Sequence, residues 1–321
     1  MKEQKLALKN LILKVRVGSH LYGTSTPESD EDFVGVFVPD AKYLLGLHLD
    51  EDYEGLNRTG EVDLNTVSKD TEGKNTSEAV DFRAYTLEKF ARLALNNNPN
   101  VLEILFVNPA NVVFANDVGY RLLNLRHEFL SKNIKHRFLG YAFSQKHKMV
   151  IKLENYEKLQ EAIDYIDHNT DKQFLLDIEH HPIFVRKKDH VTVGDMNMPI
   201  TVTIKKAKKM LANRLSKFGS RQELVSKYGY DTKFASNLIR LLDEGLELLS
   251  TGSLRFPLKG KGLLRSIRTG QLSMQEVLDL ADDIERGVKG LHDTTKLPHD
   301  PNRELIERFV IETHKSYILE D

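Results

Sequence analysis

Apolar residues near the start of the chain come in two short runs, LILKVRV at 11–17 and DFVGVFV at 32–38, separated by a Gly-Ser turn and a polar loop. Runs of this length, bounded by turn residues, predict strands. A third run, AVDFRAYT at 79–86, alternates, with Val80, Phe82 and Ala84 on one face and Asp81, Arg83 and Tyr85 on the other. The period then changes. Leu87, Phe90, Ala91 and Ala94 recur at helical spacing, Asn96-Asn97-Asn98-Pro99 ends that stretch, and 99–107 opens the next. Residues 117–130, 134–152, 153–168 and 231–250 each read as helix. A β-rich piece interrupts them between 170 and 203, where Gly194-Asp195 signals a hairpin. Asp231 and Gly252 punctuate the helix between them, Ser273-x-x-Glu276 is a capping box, and Asp300-Pro301 opens the last helix with Pro at its first position. Residues 2–10 read as a short helix, and the polar stretch Asp50 to Ser77 as a long loop suited to a lid or linker.

This succession predicts an α+β protein. A small mixed sheet with helices occupies 1–118, and a mostly helical domain occupies 119–321, with a basic, β-rich insertion near 180–205. The length, 321 residues, suits two domains, and 40% hydrophobic with 29% charged residues suits a soluble globular chain. The absence of cysteine excludes disulfides and Cys-zinc sites and fits a cytoplasmic location. Lys2, Lys5, Lys9 and Lys14 break up any signal-peptide core, and the uncharged run Ile104 to Asn116 is too short to span a bilayer.

A net charge of −1 hides a sharp segregation. Between Arg186 and Arg221 ten Lys and Arg face two Asp, a local charge of +8. Such clustering is an electrostatic footprint for phosphates, and the scarcity of aromatic residues favours backbone contact over base stacking. Lys205, Lys206, Lys208 and Lys209 are the candidate RNA contacts, with Lys205, Lys208 and Lys209 able to share a helical face. His180-His181 lacks a third ligand at sensible spacing and is not read as a metal site.

The chemistry concentrates between the first two strands. Asp30 and Asp32 are two apart at the start of an extended run, so their side chains share a face about 6.5–7 Å apart along the backbone. Carboxylates so placed can share two divalent cations about 4 Å from each other, Mg²⁺ or Mn²⁺. Glu31 points the other way. Gly18 allows the backbone to approach a phosphate without a Cβ, and Ser19 adds a hydroxyl donor. Asp81 is the natural third carboxylate, from a neighbouring strand. Asp63, in EVDLN, competes with it.

The stretch GSHLYGTSTPESDEDFVGVFV at 18–38 resembles the minimal nucleotidyltransferase superfamily, and more closely the RNA-repair-pathway polymerase-β-like nucleotidyltransferases. VDFRAYTLEKFARLALNNNPNVLEILF at 80–106 and YGYDTKFASNLIRLLDEGLELLSTGSLRFPL at 228–258 extend the resemblance. It implies transfer of a nucleoside monophosphate from a triphosphate to a hydroxyl, with Asp30, Asp32 and Asp81 as metal ligands and Gly18 and Ser19 on the phosphates. Lys233, Asn237 and Arg240 recur at i, i+4 and i+7, which read alone is a solvated face. The resemblance instead makes Lys233 and Arg240 the cations that grip the triphosphate or the leaving pyrophosphate. The favoured acceptor is an RNA 3′ end, such as that of tRNA. The alternatives are a protein or small-molecule hydroxyl, or a non-catalytic RNA- or nucleotide-binding module.

Overall fold

The computed structural model describes residues 9–27, 29–46, 60–65, 80–216 and 220–320. Residues 2–8 of the expected helix at 2–10 and most of the expected loop at 50–77 lie outside the described residues. The chain forms two compact units. One comprises 1–142, 239–265 and 280–321, and the other 143–238 and 266–279. The first unit therefore joins the expected catalytic region to C-terminal segments that a linear division assigns to a second domain.

The first unit is built on a five-stranded sheet. Its strands are β1 (Leu11–Arg16), β2 (Glu31–Phe37), β3 (Glu61–Asp63), β4 (Val80–Thr86) and β5 (Val112–Ala115), in the order β3-β4-β2-β1-β5. β2 and β4 run parallel and every other pairing is antiparallel, so the sheet is mixed. β1 and β2 are the two apolar runs of the sequence, and the turn between them carries the Gly-Ser pair.

One face of the sheet buries Phe37, Val62, Phe82 and Ala84, with Leu64 just beyond β3. The helix Leu87–Leu95 packs against β2 and β4, burying the predicted Leu87, Phe90, Ala91 and Ala94. Thr86 begins it, its hydroxyl accepting from the Lys89 N–H at 3.2 Å. Asn97 ends it in a left-handed conformation, φ 51°, which Asn tolerates better than most residues. Its buried amide donates to the Phe129 carbonyl at 2.6 Å and accepts from the Ser131 hydroxyl at 2.6 Å. Asn98 then caps the helix Pro99–Leu105.

In the second unit, strands β6 (Val185–Lys187), β7 (His190–Val193) and β8 (Met196–Pro199) form an antiparallel sheet, with Gly194 at φ 55° in the expected turn. Val191, Val193 and Met198 share a core with Ile204, Ala207, Leu211 and Leu215 of the helix Ile204–Ser216.

Two boundaries differ from the expected ones. Residues 134–167 form one continuous helix, because nothing at 152–155 stops it: neither Gly nor Pro interrupts a run of strong helix formers. The last helix starts at Arg303, and Asn302, accepting from the Leu305 N–H at 3.3 Å, is its cap, so Pro301 lies outside rather than at the first position. Among the described residues no helix is long and apolar enough to cross a membrane.

Candidate active site

The parallel register of β2 and β4 places Asp32 directly opposite Asp81. Asp30 immediately precedes β2. The alternation of β4 is as predicted, with Phe82 and Ala84 buried and Asp81 and Arg83 exposed. Glu31 points away from this group and pairs with Arg16 at 3.3 Å. Burial, reinforced by the charges of Asp30 and then Asp81, pushes the Asp32 carboxyl up to about 6. The Asp32 carboxyl thus feels the charge of both other acids. Asp63, the competing candidate, lies in register with Arg83, one β-repeat further along, and its charge falls on that guanidinium.

The Gly-Ser turn abuts the same carboxylate. The Val17 N–H donates to the Asp32 carbonyl at 2.9 Å, and Gly18 follows at φ +65°. A Cβ on Gly18 would stand 2.2 Å from Asp32 Oδ2, so glycine is required on both conformational and steric grounds. Gly18 also opens a short helix, Gly18–Tyr22, ended by Gly23 at φ 75°. The Ser19 hydroxyl is buried and has no hydrogen-bond partner among the described residues. An unpaired buried hydroxyl is costly and asks for an acceptor.

Among the described residues no group of three or more His, Cys, Asp or Glu side chains is arranged to hold a metal ion. Oxygen donors whose like charges meet at one raised carboxyl are the chemistry that a hard divalent ion relieves.

Arg240 departs from its expected role. Its side chain is 7% exposed and bonds to Glu103 and to Glu244, the latter at 3.0 Å. Burial alone would push its guanidinium down, but the charges of Glu103 and Glu244 together hold it well above its ordinary value. A guanidinium already enclosed by two carboxylates is not available to a triphosphate. Glu103 and Glu244 escaped the sequence reading. The signals were a lone acid in the apolar run NVLEILFV and an acid four residues after Arg240. Lys233 stands in the first turn of the helix Thr232–Thr251, in the second unit, where Asp231 accepts from its N–H at 3.0 Å.

The basic helix is partly neutralised. Lys208 pairs with Asp167, and Arg214 donates to Asp195 at 3.1 Å, while Lys205, Lys206 and Lys209 are exposed. Lys208 is therefore a weaker RNA candidate than its neighbours. His181 stacks on Tyr165, with ring centroids 4.0 Å apart.

A mixed sheet backed by helices, with acids on adjacent parallel strands beside a Gly-Ser turn, has the character of a polymerase-β-like protein. The chain belongs to the RNA repair pathway DNA polymerase beta family, RlaP, whose sequence model matches residues 2–163. It is also similar to an uncharacterized 38.9 kDa protein of the nrdC-mobD intergenic region of Enterobacteria phage T4. That relative is 26% identical over 345 residues, covering 95% of this chain and 98% of the phage protein. No solved structure matches the chain. Family membership points to a nucleotidyltransferase.

Proposed function

We propose that the protein is a metal-dependent nucleotidyltransferase that moves a nucleoside monophosphate from a nucleoside triphosphate to an acceptor hydroxyl. The observation that carries the reading is the register of Asp32 on Asp81, with burial and then the charges of Asp30 and Asp81 raising the Asp32 carboxyl. Asp30, Asp32 and Asp81 would hold two Mg²⁺ or Mn²⁺ ions. When bound, these ions lower the pKa of an attacking hydroxyl and neutralise charge on the phosphates. The chain's own part is positional. Gly18 presents backbone without a Cβ, and Ser19 offers its unpaired hydroxyl to a phosphate oxygen. The acids would fix the ions, with Asp32 in charge contact with both Asp30 and Asp81.

The family's link with RNA repair and the exposed Lys205, Lys206 and Lys209 support an RNA 3′ end as acceptor. Each lysine that meets a phosphate releases a counterion, so affinity should fall with salt. Replacing all three by Glu is expected to weaken RNA binding at 100 mM salt by tenfold or more. It should also flatten the salt slope by about one per lysine. Unchanged affinity and slope in a filter-binding titration would remove this surface from the proposal. The activity itself is tested by incubating the protein with each α-labelled triphosphate, Mg²⁺ or Mn²⁺, and total RNA. Label in RNA is the expected result. Label in protein alone would redirect the acceptor, and no release of pyrophosphate with any triphosphate would defeat the reading.

A further inference from the structure

The helix Gly18–Tyr22 carries the candidate phosphate turn at one end and reaches a buried charged cluster at the other. The Tyr22 hydroxyl donates to Glu103 Oε2 at 2.6 Å, and the Arg240 guanidinium lies 4.6 Å from the centre of the Tyr22 ring. Arg240 in turn donates to Glu103 and to both carboxylate oxygens of Glu244, at 3.2 and 3.0 Å. Glu103, Arg240 and Glu244 are 3%, 6% and 1% exposed. Burial pushes the Glu244 carboxyl well above the ordinary carboxylate range, against the pull of Arg240.

Such a cluster is poor evidence for stability as such. Buried ion pairs lose much of their attraction to desolvation, and apolar side chains of similar volume often serve a core as well. What the cluster can supply and an apolar core cannot is a fixed direction, because guanidinium, carboxylates and phenol each constrain the angle of the next. Further contacts hold the same end of the helix. The Leu258 N–H donates to the Tyr22 carbonyl at 3.2 Å, and the Arg265 guanidinium donates to the Gly23 carbonyl at 2.6 Å. Pro257 lies so close to Gly23 that a Cβ there would stand 2.7 Å from it. The helix is only five residues long and cannot hold its own orientation. Its two ends are set from outside, at Asp32 and at this cluster.

We infer that Tyr22, Glu103, Arg240 and Glu244 form a positioning device, assisted by Arg265, that holds the Gly18–Tyr22 helix so that Gly18 and Ser19 stay in register with Asp32. Its consequence for catalysis rests on the nucleotidyl-transfer reading, while its geometry does not. The role also accounts for the cationic Arg240 on the helix Thr232–Thr251 without requiring it to touch substrate.

The test uses the full chain and two mild variants. Tyr22→Phe keeps the ring under Arg240 but removes the donor to Glu103. Arg265→Met removes an exposed side chain, so it does not threaten the core. Hydrogen exchange followed by mass spectrometry should show amides at 18–25 exchanging about tenfold faster in each variant, with β1, β2 and the helix Leu87–Leu95 unchanged. In steady-state transfer, KM for the triphosphate should rise by fivefold or more, with a smaller change in kcat, and Arg265→Lys should restore part of the loss. Unchanged exchange at 18–25 would overturn the inference. So would faster exchange spread evenly over the sheet, or local loosening with KM unaltered. If wild type transfers no nucleotide, the functional reading fails, and the exchange pattern alone decides whether the anchor is real.

Discussion

Asp32→Asn is expected to lower nucleotide transfer by about a thousandfold or more while raising the melting temperature of the metal-free protein. On the proposed reading Asp32 would hold a metal ion that supplies several kcal/mol of charge stabilisation, and losing that ligand would forfeit much of it. The stability effect follows from the raised carboxyl, at about 6 against an ordinary 3.8. Between those values the folded state holds more protons than the unfolded one, so stability falls as pH rises. The cost of Asp32 is absent below about pH 4 and fully present above about pH 6. At face value the shift is worth about 3 kcal/mol. Solvent screening of a partly exposed group reduces this to about 1 kcal/mol, or a few degrees. Calorimetry in a chelator should find the variant melting higher at pH 8 and the gap closing by pH 4.5. Adding Mg²⁺ should then raise the wild type more than the variant. A variant that melts well below wild type at pH 8 would mean the carboxylate is structural, and the site would have to be sought elsewhere.

The parts of this protein that were legible in the sequence are those governed by local periodicity. The alternation at 80–86 and the stripe Leu87, Phe90, Ala91, Ala94 appear in the structure as read. Asp231, Gly252 and the Ser273–Glu276 capping box sit where their chemistry sends them, the last with Glu276 accepting from the Ser273 N–H at 2.7 Å. Spacing alone also put Asp30 and Asp32 beside each other. Long-range pairing was a different matter. Nothing local says that β4 lies parallel to β2 in the register that sets Asp81 rather than Asp63 opposite Asp32. That choice was narrowed by resemblance. Arg240 marks the limit of what local periodicity encodes. A cation at i+7 from Lys233 looks like part of a surface stripe, and the residue that makes it buried, Glu103, lies 137 positions away. Charge on a helix face can be read from sequence, but the burial that decides its meaning comes from tertiary packing.

Arg240→Met should be among the most damaging single changes in the chain, for the reason the helical stripe concealed. Removing one partner of a buried ion pair leaves uncompensated charge and costs about 3–5 kcal/mol. For a unit of this size that is a fall in melting temperature of about 10 °C. Substitution of an exposed lysine such as Lys205 should move stability by less than about 0.5 kcal/mol. The pH dependence identifies the mechanism. Without the guanidinium, the carboxyls left inside can stay buried only by taking up protons, and this costs more the higher the pH. The deficit of Arg240→Met should therefore be largest near pH 8 and already shrink towards pH 5, at higher pH than an ordinary surface carboxylate pair, whose contribution persists until the carboxylate itself protonates. Combining it with Glu244→Leu removes one of the stranded acids and should recover a substantial part of the loss. Denaturant melts of the three proteins at pH 8 and pH 5 decide the matter. A deficit that is small, or indifferent to both pH and the second substitution, would place Arg240 outside the buried cluster and reopen its assignment to the phosphates.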